Sequence, residues 1–111
     1  MEYMWNDVEE FYEKFNFCHE YNKSPVAYLN SRQELLQSEV NELALALENN
    51  DLVEIADALV DILYVAIGSI ILTGLPIRPL WDEVHRSNMK KELIPAGEGD
   101  GFHRVGKPEG W

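Results

Sequence analysis

The chain predicts an all-α protein, a four-helix bundle completed by oligomerisation. Apolar residues recur at helical spacing in four segments, and no alternating run is long enough to argue for a sheet. Residues 54–68, EIADALVDILYVAIG, are apolar on nearly every side. Such a helix belongs at the centre of an assembly. A chain of 111 residues has little else to cover it with, which favours a dimer or higher oligomer.

The elements follow in order. Asn6 with Glu9 resembles a capping box, and Val8, Phe11, Tyr12 and Phe15 then form one apolar face. Residues 17–30, with Pro25, read as a connection. Ser31 with Glu34 makes a second capping box, opening a helix whose stripe runs through Leu35, Leu36, Val40, Leu43 and Leu47. NND breaks it. Asp51 with Glu54 caps the long third helix, Gly74 suits its C-cap, and Pro76 enforces the stop. Pro79 fits the first turn of a fourth helix, PLWDEVHRSNMKKEL, which Pro95 ends. Residues 1–94 therefore read as one helical domain and 95–111 as a Gly-rich C-terminal arm.

Composition narrows the function. The chain has 20 acidic and 9 basic residues, a net charge of −11, which opposes general binding to nucleic-acid backbones or anionic membranes. Six of the nine basic residues, Arg78, Arg86, Lys90, Lys91, Arg104 and Lys107, lie after residue 77, allowing a locally positive patch. Cys18 is the single cysteine, so no intrachain disulfide forms, and the N-terminus lacks the pattern of a secretory signal. The longest uncharged apolar stretch, Ile62 to Leu75, is too short to span a bilayer. A cytoplasmic, soluble protein is expected.

The chemistry lies in carboxylates. Glu39 occupies the apolar stripe of the second helix, with Glu42 beside it at i+3. On the third helix Glu54, Asp57 and Asp61 descend one face at i, i+3 and i+7. Antiparallel packing across the short ENND connection brings four or five of these together. An unpaired buried carboxylate costs several kcal/mol, so the cluster requires protonation, cationic partners or metal. Arg32, at one end, is the only basic residue in the two helices, which favours metal. All-oxygen ligands without His or Cys select Mg²⁺ or Mn²⁺ rather than zinc. The bland alternative is a solvated helix face, with Glu54 serving only the cap.

LLQSEVNELALAL, EIADALVDILYVAIGSIILTGLPI and LWDEVHRSNMKK together resemble the all-α nucleoside triphosphate pyrophosphohydrolases, the MazG-like superfamily. The nearest branch is that of small phosphoribosyl-ATP pyrophosphohydrolase-like proteins of bacteria and phages, and the likeness spans nearly the whole chain. The resemblance implies Mg²⁺-dependent hydrolysis of a nucleoside triphosphate to monophosphate and pyrophosphate. It assigns the Glu-x-x-Glu motif to Glu39 and Glu42, either of which takes the proton of the attacking water. Its second motif matches Glu54 and Asp57, and Asp61 matches an acid that other branches carry. Where many relatives have a further acid before the first motif glutamate, this chain has Ser38.

By the same resemblance Arg86, Lys90 and Lys91 pair with phosphate oxygens and Asn88 meets a base or sugar edge. Arg104 and Lys107 close over the phosphates from the tail. Without the resemblance these basic residues read as a solvated helix end. Trp5, Phe11, Phe15 and Trp81 suit a base pocket, although aromatics at this spacing are more often core. Two rivals stand beside this reading. One is phosphoribosyl-ATP as substrate, although that branch typically lacks the VHRSN segment. The other is a non-enzymatic acidic protein that mimics DNA or binds a basic partner, which needs its charge on the surface.

Overall fold

The computed structural model describes residues 2–17, 25–94 and 104–106. The helices are α1 (Glu2–Lys14), α2 (Pro25–Glu48), α3 (Leu52–Thr73) and α4 (Ile77–Met89). Two short strands, β1 (Glu92–Ile94) and β2 (Arg104–Gly106), pair antiparallel with Leu93 opposite Val105. The chain divides into two compact units, Met1–Leu75 and Pro76–Trp111.

In the first unit α2 and α3 form an antiparallel hairpin, and α1 packs on α3. The turn between α2 and α3 is short because Asn50 takes a left-handed conformation (φ 52°), which asparagine tolerates better than most residues. The Asp51 N–H donates to the Ala46 carbonyl across that turn. Asp51 then caps α3, its side chain accepting from the Glu54 N–H at 3.2 Å. At the far end Gly74 (φ 71°) donates its N–H to the Ile71 carbonyl at 3.0 Å. Both ends of α3 lie where the sequence predicts them.

Two helix starts differ from expectation. α1 begins at Glu2, so Asn6 stands inside it; Met4 and Trp5 pack against the core and extend the helix past the local capping signal. α2 begins at Pro25, seven residues before Arg32; proline is at home in a first turn, where its missing N–H is no loss. Ser31 is consequently interior, its hydroxyl donating to the Tyr28 carbonyl at 2.6 Å, a local bond that competes with capping. The core centres on Val8, Tyr12, Ile67 and Leu72. Phe11 and Phe15, predicted on the buried face of α1, remain 39% and 51% exposed and pack against neighbouring rings, Phe11 edge-on to Tyr64 and Phe15 stacked on Phe17.

The second unit holds α4 and the ribbon. Pro79 falls in the first turn of α4 as expected, but the helix ends at Met89 rather than running to Pro95. Residues 92–94 pair instead with 104–106. Strands of three residues are too short to leave an alternating signature. The rest of the predicted arm, Lys107 included, lies outside the described residues.

α3 is 22 residues long with a mean hydropathy of 2.1 in its most apolar window, long and apolar enough to cross a bilayer by length and composition alone. The uncharged run Ile62 to Leu75 understates the helix, because the window also takes in residues before Ile62. Core helices of soluble proteins meet the same criterion. Only 28% of that window is buried within the chain.

Candidate functional site

The α2–α3 hairpin sets the register of the site. Arg32 of α2 bonds Val65 and Ser69 of α3, and two turns further along α2 Glu39 comes opposite Asp61. Because both helices repeat every 3.6 residues, the same faces stay in contact down the hairpin. Glu39, Glu42 and Asp61 each offer a carboxylate oxygen, and the three oxygens lie within 4.8 Å of one another.

Burial within the trio is uneven. Glu39 and Asp61 are half-buried and Glu42 is exposed. Oε2 of Glu39 is inaccessible to solvent and has no hydrogen-bond partner among the described residues. An orphaned carboxylate oxygen beside two further acids is costly. The Glu39 carboxyl is held above its ordinary range, first by desolvation, then by its hydrogen bond with Glu42 and the charges of Glu42, Asp61 and Asp57. Asp61 is pushed up likewise by desolvation and by Asp57 and Glu42. Neighbouring carboxylates thus oppose ionisation of Glu39 and Asp61, which is the arrangement a divalent cation reverses.

Asp57 and Glu54 lie next to this trio. With Glu42, Asn49 and Asp51 they line a groove of about 370 Å³. Both are exposed in the single chain. The apolar interior expected for all five acids therefore encloses only Glu39 and Asp61, because Glu42, Glu54 and Asp57 sit toward the open, turn-side end of the hairpin. The donor set is all oxygen, with no imidazole or thiol among the described residues that complete the cluster. Such a set, with an oxygen lacking any partner, fits a hard divalent cation.

The predicted substrate residues belong to the second unit. Arg86 is exposed and its guanidinium is engaged by Glu83 on the same helix, with one of the two bonds at 3.0 Å. Asn88 lies in the last turn of α4, Lys90 caps it, and Lys91 follows, half-buried. Arg104 lies in β2.

Sequence reasoning underrated Arg32. Its guanidinium donates to the Tyr12 hydroxyl, to Ser69 Oγ at 3.2 Å and to the Val65 carbonyl at 3.3 Å, and lies 5.3 Å from the centre of the Tyr12 ring. The available signal was the Gly68-Ser69 pair interrupting an otherwise bulky apolar run. Gly68 leaves room for Tyr12: a Cβ there would stand 1.9 Å from the tyrosine oxygen.

No curated protein and no solved structure matches the chain. Residues 8–88 match a family described as phosphoribosyl-ATP pyrophosphohydrolase, soluble enzymes of nucleotide metabolism that typically depend on a divalent metal. The match takes in α2, α3 and all five acids of the hairpin. Covering well over half of the 111 residues, it shows that the chain belongs to the phosphoribosyl-ATP pyrophosphohydrolase family, within the MazG-like all-α superfamily.

Proposed function

We propose that the chain hydrolyses a nucleoside or deoxynucleoside triphosphate between its α and β phosphates, releasing the monophosphate and pyrophosphate. The observation that carries this is Glu39 Oε2, buried without a partner among the described residues, in a cluster with the carboxylates of Glu42 and Asp61. Glu39, Glu42 and Asp61 would hold Mg²⁺, with Mn²⁺ as substitute, and Asp57 and Glu54 extend the set along the groove. Bound there, the cation supplies Lewis acidity and neutralises charge on the polyphosphate.

The chain's own groups do the rest. A water attacks the α-phosphorus, the bond from that phosphorus to the bridging oxygen breaks, and pyrophosphate departs. The water's proton passes to Glu39 or Glu42, carboxylates with oxygens within 4.8 Å of each other. Burial makes the Glu39 carboxylate more basic than an ordinary glutamate and suits it to that part. Arg86, Asn88, Lys90, Lys91, Arg104 and Lys107 would serve the phosphates and the nucleoside. Large apolar residues left open, such as Leu52 (78%), Val53 (77%) and Val60 (61%), support a homo-oligomer. Family membership supports a cytoplasmic setting.

A second reading is favoured by the family match itself: phosphoribosyl-ATP, cleaved at the same bond. Pyrophosphate release with Mg²⁺, measured across the common (d)NTPs and phosphoribosyl-ATP, separates the two. Glu39→Gln is expected to lose activity on whichever is the substrate. A folded parent inactive on every one of them would overturn the assignment and favour a non-enzymatic acidic binding protein.

A further inference from the structure

We infer that Arg32 is a positioning residue for the carboxylate cluster, a polar clamp that sets the α2–α3 register; the inference rests on the metal-binding reading above. Hydrophobic contacts between two helices are non-directional, and leucine-rich stripes accept more than one longitudinal alignment. The Arg32 fork is directional. Its three acceptors are fixed in different ways: the Val65 carbonyl by the α3 backbone, Ser69 Oγ by its own bond to that carbonyl at 2.8 Å, and the Tyr12 hydroxyl by burial against Gly68. Val65 is one turn from Asp61 on α3, and Arg32 is two turns from Glu39 on α2. Seating the guanidinium therefore seats Glu39 opposite Asp61. No acid among the described residues is its partner, and the bonds it makes serve alignment rather than neutralisation of the cluster.

The geometry has a further consequence. Like charges at Glu39, Glu42, Asp57 and Asp61 drive the hairpin apart at that level when no cation is present. A directional tie two turns away resists the slip that such repulsion favours. Tyr12 brings α1 into the same tie, so three helices meet at one guanidinium.

The test uses the full chain, with Mn²⁺ as probe, in the parent, Arg32→Met, Arg32→Lys and Ser69→Ala. Ser69→Ala removes one acceptor and guards against a failure of Arg32→Met to fold. Calorimetric titration of variants whose circular dichroism matches the parent should show Mn²⁺ binding weakened about tenfold or more in Arg32→Met. Arg32→Lys and Ser69→Ala should fall between that variant and the parent. Folded variants that all bind Mn²⁺ like the parent would overturn the clamp. The register is also read without metal, by spin-label distances between Glu34→Cys and Leu63→Cys in a Cys18→Ser background. A shifted or broadened distance with Arg32→Met supports the clamp, and an unchanged sharp distance refutes it. Failure of the parent to bind Mn²⁺ would sink the metal reading instead, leaving the spin-label distance to decide the clamp.

Discussion

Glu39 concentrates the conflict in this molecule. Its stripe position demands burial, its charge resists it, and one oxygen has no partner among the described residues. Glu39→Gln removes the charge and keeps the shape. With a chelator present, the variant should melt a few degrees higher than the parent. Its pyrophosphate release with Mg²⁺ should fall about a hundredfold or more if the carboxylate accepts the proton. Thermal melts and a coupled pyrophosphate assay check the two halves separately, and opposite signs are the expected signature of a site strained for function.

The same residue predicts a pH response. Glu39 and Asp61 have folded-state values above their ordinary 4.5 and 3.8. The fold therefore binds their protons more readily than the unfolded chain does. Their contribution to stability is fully present below the ordinary values and is lost as pH rises through the raised ones. Chelator-treated parent should accordingly gain stability from this pair as pH falls from neutral toward 4.5. Glu39→Gln should show a smaller gain over that interval. Urea midpoints at several pH values measure the difference, and parallel curves would remove Glu39 as its source.

At the scale of elements, α3 depends on features that are not apolar. Gly74 ends it with a positive φ, and a Cβ added there would meet nothing within 4 Å. Gly74→Ala should therefore destabilise through backbone strain alone, by about 1 kcal/mol. Gly68 is the opposite case. Its φ is unremarkable, but a methyl group there collides with Tyr12. Gly68→Ala should cost about 1–3 kcal/mol by overpacking, and Tyr12→Phe should relieve part of that cost by removing the colliding oxygen. Denaturant unfolding of the single and double variants tests whether the two substitutions are coupled.

At the scale of the molecule, a net charge of −11 and a row of open apolar residues on α3 pull in different directions. Repulsion keeps copies apart at low salt, whereas apolar burial brings them together once the field is screened. Light scattering should report an oligomer at physiological salt, shifted toward the monomer by Val60→Glu and by low ionic strength. A monomer at every protein concentration and salt tested would refute the assembly.

The caps of α3 and the acid motifs could be taken from the sequence, because each depends on neighbours within one or two helical turns, and the family resemblance because it rests on the order of residues alone. Asp51 with Glu54, Gly74 and the i+3 acid pairs are of this local kind. The early starts of α1 and α2, the ribbon at 92–94 and the place of Arg32 were decided by tertiary structure. Met4 and Trp5 extend α1 only because a core exists to receive them. Residues 92–94 form a strand only because 104–106 supply its hydrogen bonds. Nor does spacing along one helix reveal that Arg32 will meet a tyrosine from α1 and a serine from α3, since such partners become neighbours only when three helices pack. Local propensity carries the periodicity of an element, while long-range burial and hydrogen bonding determine where it begins, where it ends and which of its polar groups face one another.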